Sequence, residues 1–326
     1  ITTLLIMYFS NKNNFFHGIM FHHFHDDNFH KKSQGSISQH DFYKLIEFVG
    51  RENILNADEF LLRFKENKLT NTNLCLTFDD CLKSQYDIAV PVMKDLNIKG
   101  FFFIYSSVFI ENPDLLEIYR YFRMNFFKNV DEFYNFFFEV YGENLDNYFN
   151  QRKNIIDKRK KHHPYYTIND IKFRMVRDAI LNKDEYQKLM FKMFEQKKFD
   201  PKGLSDVLFI SKSNLIQMKD LGHIIGLHSH SHPTTLEKLN YNEQLEEYTK
   251  NQNIVSKILN CRSTDIVSMS HPCGSCNSDT FKVLEKLGIE IGFKQMMHLD
   301  KNMKKINVSK YEIARQNHAD VMSMIN

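Results

Sequence analysis

The sequence predicts an α/β protein: a distorted (β/α) barrel of about seven parallel strands carrying an all-helical insertion. Three observations predict it. Short apolar runs alternate with helical patterns over most of the chain, which is how a parallel sheet with covering helices reads. Leu74–Phe78, a helix, and Gly100–Tyr105 together form a βαβ unit, and that unit needs parallel strands. The alternation stops between about Pro113 and Leu204. There only Gly142 and Pro164 punctuate the interval from Asp114 to Asp200, and aromatic residues recur at helical spacing.

The elements follow in order. Ile1–Phe9 is an apolar run with no basic stretch before it and no small-residue cleavage site after it, so it reads as a strand or frayed start and not a secretion signal. Gly18–Phe24 is a buried strand followed by His22, His23, His25, Asp26 and Asp27 around its C-terminal end. Ser38 caps a helix through Val49, with Phe42, Leu45, Ile46 and Val49 on one face. A second helical piece covers about 57–64. Pro91 falls inside the helix expected over 84–96, which makes its first turns irregular. The insertion reads as four or five helices, with Phe126, Phe127, Phe133, Phe136, Phe137 and Tyr141 as core. Beyond it, Ser213 caps a helix ending at Gly222. Strands follow at Ile224–Leu227, Ile266–Met269, Ile289–Phe293 and Tyr311–Ala314. Asn242 opens a long helix to Leu259, and another helix spans Ser278–Leu287. The boundaries are therefore 1–112 with 205–326 for the barrel and 113–204 for the insertion, which serves as a lid, a homo-oligomer interface or a partner platform.

Composition narrows the function classes. A formal net charge of +3 over 326 residues is too small to argue for nucleic acid or an anionic membrane. The basic density around 152–161 is that of a solvated helix face. No segment reaches the roughly 18 apolar residues of a transmembrane helix. Five cysteines do not suggest a disulfide framework, so the cytoplasm is the default compartment, although the chain lacks an initiator Met and its true start is uncertain.

Asp79 and Asp80 sit side by side at the end of an apolar strand. Adjacent carboxylates repel, so the pair is either a solvated helix cap or the neighbour of a cation. At another strand end the chain reads His228-Ser-His-Ser-His-Pro233. His228 and His232 are four apart, and one turn of helix would put them on one face. Two imidazoles and a carboxylate form a common set for a catalytic divalent metal with open positions. Both sites lie at strand C-termini, where parallel α/β folds keep their chemistry.

Thr77-Phe-Asp-Asp-Cys81 and His228-Ser-His-Ser-His-Pro233 resemble the first two motifs of the polysaccharide deacetylase family (the NodB homology domain, carbohydrate esterase family 4), TFDDG and H-S/T-x-x-H-P. Ser270-His-Pro-Cys-Gly274 is similar to the third, R-x-P-x-G or S-x-P-x-G. Ala89-Val-Pro-Val-Met93 and Lys99-Gly-Phe-Phe-Phe-Ile104 look like the helix and strand after the first motif. The likeness covers about 18–109 and 210–318.

The resemblance implies a metal-dependent N-deacetylase of an N-acetylated sugar, in a glycan or glycan precursor. Asp80, His228 and His232 would bind one divalent ion, Zn2+ or else Co2+, Ni2+ or Fe2+. Asp79 would be the base on the activated water. Ser270, Pro272 and the backbone N–H of Cys273 would line the substrate and oxyanion side. His318 would be the late histidine that acts as general acid. The sequence departs from the family pattern in places. Cys81 replaces a Gly, Cys273 an aromatic residue, and Ser270 the Arg that orients the base, a task that falls to Arg315 if anything here performs it. Those departures keep an inactive carbohydrate-binding homologue open as an alternative, and the same metal site leaves open an amide hydrolase or deacylase acting on a non-sugar substrate.

Overall fold

A computed structural model describes residues 15–110, 115–162, 166–295 and 306–325. The expected strand over 1–9 lies outside the described residues. Two compact units divide the chain: residues 1–114 with 205–326, and residues 115–204.

The first unit is built on seven strands: β1 (His17–Phe21), β2 (Leu74–Phe78), β3 (Phe101–Ile104), β4 (Ile224–Leu227), β5 (Ser268–Ser270), β6 (Ile291–Phe293) and β7 (Arg315–Asn317). All pair in parallel, in the order β6-β5-β4-β3-β2-β1-β7. The two edge strands approach each other through a parallel bridge from Phe293 to Ile313, so the sheet forms a nearly closed barrel. The last strand falls at 315–317 and not at 311–314, because Ile313 is spent on that closing bridge.

Side chains alternate across each strand, and both faces are buried. On β3, Phe101 and Phe103 pack with Cys75, Ile291, Phe293 and Ile313. Phe102 and Ile104 join the other cluster, where Phe102 stacks on Phe78 with ring centroids 4.4 Å apart. Each such Phe contributes on the order of 1.5–3 kcal/mol by leaving water. Glycine appears where inner side chains need room. A Cβ on Gly226 would lie 2.7 Å from both Phe103 Cδ1 and Ser268 O, and one on Gly18 would lie 3.2 Å from the Arg315 stem.

The helices form largely where expected, with local shifts. Ser38 and Asp41 make a reciprocal capping box at Gln39–Val49. Around Pro91 the chain runs as a π-helical turn (Gln85–Ala89) into Val90–Asp95. Ser211, not Ser213, caps Lys212–Asp220, and Asn240 caps Tyr241–Ile258. The second unit, taken by itself, holds six helices among its described residues, one more than the upper expectation. Phe122, Phe133, Phe137, Phe173 and Phe194 are buried in it, whereas Phe126 is partly exposed. Gly142 ends Val130–Tyr141 in the left-handed conformation (φ 76°) that favours glycine.

Candidate active site

The C-terminal ends of β1, β2, β4 and β5, with Arg315 at the start of β7, bring the site together. Just past β2, the Asp79 N–H donates to Phe21 O (3.1 Å), which fixes where the two carboxylates leave the strand. Asp80 and Cys81 then both take left-handed backbone (φ 77° and 57°). Cys81 thus keeps the conformation for which a glycine would be the unstrained choice. Ile210 holds it there by donating its N–H to Cys81 O (2.9 Å).

Past β4, the His228 N–H donates to Ile104 O (3.0 Å) and to the Asn251 side chain (3.1 Å). His228 Nδ1 lies 2.9 Å from Ser270 O, an obligate acceptor, so that nitrogen carries the proton and Nε2 presents a lone pair. Nε2 faces Asp80 Oδ1 at 3.3 Å, and His232 Nε2 faces the same oxygen at 3.4 Å. Charge-assisted N–H···O bonds run about 2.7–2.9 Å. These contacts are longer, and the buried Asp80 Oδ1 accepts no hydrogen bond among the described residues. One ligand atom from each of Asp80, His228 and His232 lies within 4.8 Å of the others. Two imidazole nitrogens and a carboxylate oxygen converging in a buried place fit a shared divalent cation. Burial works to raise the Asp80 pKa, but His228, His232 and His22, in their protonated forms, outweigh it and hold the carboxyl well below its ordinary value.

The pair at the strand end is unequal. Asp79 has a cationic partner of its own. Arg315 grips it with both terminal nitrogens, Nη1 to Oδ1 at 2.7 Å and Nη2 to Oδ2 at 2.8 Å. Arg315 Nε donates to Lys294 O (2.9 Å), so the fork is itself anchored. Ser270 Oγ donates to Asp79 Oδ1 (3.1 Å) and lies 2.7 Å from His228 Nδ1. Asp79, Ser270 and Arg315 are all buried. Burial would raise the Asp79 pKa, and the Arg315 charge beside it reverses that and keeps it lowered.

Other expected residues fall elsewhere. His228 and His232 do not share a helix face; the chain between them is a turn with left-handed Ser229 and His232 (φ 62° and 54°). Pro272 and Cys273 lie on a 3-10 turn after β5, Pro272 buried and Cys273 exposed with φ 53°. His318 departs most from expectation. It is buried, stacked on Phe21, with Nδ1 3.1 Å from Met20 O and Nε2 2.8 Å from Gly35 O. Burial pushes its pKa down to about 4 against the pull of those carbonyls. Both ring nitrogens thus lie against backbone carbonyl oxygens, to one of which the neutral imidazole donates its single N–H.

Sequence reasoning gave no special place to His22. Its Nε2 lies 3.9 Å from Asp80 Oδ2, the oxygen opposite the other two histidines, and its side chain is part-exposed. Within the same His/Asp stretch, His25 is tied to Ser36 (2.9 Å), and Asp26 Oδ1 accepts the backbone N–H groups of Asn28, Phe29 and His30. A signal for His22 was available: it follows a strand that precedes the Asp-Asp strand, and consecutive strands usually pair.

In fold the chain is similar to deacetylases of known structure. A family profile described as polysaccharide deacetylase matches residues 179–292, the interval that holds His228, His232 and Ser270–Gly274. Three solved structures share the fold. The deacetylase PplD of Streptococcus pyogenes, solved in complex with acetate, is 13% identical, with TM-score 0.52 over 95% of this chain and 98% of its own. IcaB from Ammonifex degensii is 12% identical, with TM-score 0.52 over 96% and 97%. A de-N-acetylase from Aggregatibacter actinomycetemcomitans is 12% identical, with TM-score 0.53 over 95% and 99%. No curated protein sequence matches the chain. Among the described residues, no helix is long and apolar enough to cross a membrane.

Proposed function

We propose that this chain is a metal-dependent N-deacetylase that removes the acetyl group from an N-acetylated sugar of a glycan or glycan precursor. The observation that carries the reading is the convergence of Asp80, His228 and His232 beside a second carboxylate, Asp79, that has a partner of its own. The names of the structural neighbours, a deacetylase with acetate and a de-N-acetylase, point the same way. Asp80, His228 and His232 would hold the ion, with zinc the first choice for this donor set. When bound, the ion would polarise the amide carbonyl and make a water acidic enough to attack at neutral pH.

The chain's own groups do the rest. Asp79, kept ionised and pointed by Arg315 and Ser270, takes the proton of the attacking water. The turn Pro272–Gly274 flanks the site, and the Cys273 N–H is its donor for the developing oxyanion. A proton must then reach the leaving amine. His22 is placed for this, at the open edge of Asp80, where His318 is enclosed. His22→Gln is expected to lower kcat by about 10²–10⁴-fold with metal still bound, the range for loss of a general acid. His318→Asn is expected to act mainly on thermal stability. A kcat loss confined to the His318 variant would reverse the two assignments.

The test of the function is direct. Purified protein loaded with zinc or cobalt is incubated with a panel of N-acetylated mono- and oligosaccharides and with non-sugar acetamides, and free acetate is measured. Release from a sugar that stops on metal removal is expected. Release only from non-sugar amides would select the deacylase alternative. No release with metal bound would leave the inactive binding homologue. The pairing of Arg315 with Asp79 favours turnover over that last reading, which was motivated by the departures at Ser270, Cys81 and Cys273.

A further inference from the structure

The turn that carries the two candidate metal histidines is costly by itself. Ser229 and His232 are left-handed without being glycine, and such residues persist only where neighbours over-determine them. Ser229 Oγ accepts the His232 N–H (3.2 Å), which is a bond inside the turn. The outside restraint comes from the helix Tyr241–Ile258. Glu247 Oε2 accepts the His230 N–H (3.0 Å) and the Ser231 N–H (2.8 Å), and its Oε1 accepts Ser231 Oγ–H (2.8 Å). One helical turn further on, Asn251 accepts the His228 N–H and donates to Ile104 O (2.9 Å). Ser107 N–H donates to His230 O (2.9 Å) and closes the other side.

We propose that Glu247 is a positioning residue for the metal centre: its carboxylate fixes the backbone of residues 230–231 and thereby aims His232 at Asp80. The inference rests on the metal-site reading above. A side chain that accepts three hydrogen bonds from two of the three residues between the ligands sets the turn's path, and His232 has no helix to set it instead. Among the described residues the Glu247 carboxylate bonds to His230 and Ser231 and not to the ligand atoms, so its effect is read in binding of the ion.

Zinc affinity is measured by competition with a chromophoric chelator on wild type, Glu247→Ala, Glu247→Gln and the exposed neighbour Glu246→Ala, together with the melting temperature of each metal-free protein. Loss of such a supporting contact typically costs about 10–100-fold in metal affinity. Glu247→Ala is expected to fall in that range. Glu247→Gln keeps an oxygen for the two backbone donors and is expected to stay close to wild type, as is Glu246→Ala. Wild type that binds no zinc would remove the metal reading and this inference with it. Wild type that binds, with Glu247→Ala binding as tightly, would remove this inference alone, and a lowered melting temperature at unchanged affinity would count the same way. If Glu247→Ala does not fold, Glu247→Asp, one methylene too short to reach both amides, takes its place under the same criteria.

Discussion

Asp79→Asn is expected to reduce turnover by about 10²–10⁴-fold, the contribution of a positioned general base, while zinc stays bound within a few-fold of wild-type affinity. The separation follows from geometry. Asp79 spends its oxygens on Arg315 and Ser270, whereas Asp80 Oδ1 is the atom that His228 and His232 face. Asp80→Asn is the matched control: it removes the carboxylate of the candidate metal cluster and is expected to lose the ion and the activity together. Chelator competition and acetate release, measured on the same preparations, give the two readouts. Asparagine also leaves the Arg315 charge uncompensated in a buried place, so the assay belongs well below the variant's melting temperature. An Asp79→Asn protein that turns over normally, or that loses zinc as Asp80→Asn does, would contradict the division of labour.

Much of this arrangement was legible in the residues, and the parts that were not share a cause. Strand ends could be placed because buried apolar runs stop at charged residues, as Phe78 does at Asp79 and Leu227 at His228. What the chain cannot show locally is which side of a strand end a neighbour presents. His22 reaches Asp80 because β1 pairs with β2, a fact of the sheet order. His318 follows β7, which pairs with β1 on its other side, and its ring turns to the carbonyls of Met20 and Gly35. Both are histidines after strands, and only packing separates them. The histidine turn was read as helical from its spacing. A clamp from a helix 15 residues later, Glu247, goes with left-handed backbone there. Ser213 was read as the cap, whereas Ser211 holds that place, directly after Ile210 pairs with Cys81.

Arg315 carries the second large expectation, because it joins stability to catalysis. Its guanidinium crosses beside Gly18, whose missing Cβ leaves room for the stem, and ends in a two-pronged contact on a buried carboxylate. Removing one partner of a buried pair leaves the other charged and alone, which costs about 3–5 kcal/mol. Arg315→Met, similar in length and apolar, is expected to lose stability of that order in denaturant unfolding near neutral pH. The sign with pH follows from the shift. In the wild type the folded Asp79 pKa lies below its ordinary value near 3.8, so its stabilisation is present above that value and is lost as pH falls through the folded pKa. Without Arg315, burial dominates and the folded pKa rises above the unfolded one. The defect is then greatest near neutral pH and is relieved on acidification. Catalysis shifts in step, with the acid limb of kcat/KM moving to higher pH because the base must still ionise. Arg315→Lys keeps the charge without the fork and is expected to lie between the two. If Arg315→Met left the acid limb in place while stability fell, Arg315 would be a packing residue, and the orientation of Asp79 would belong to Ser270 alone.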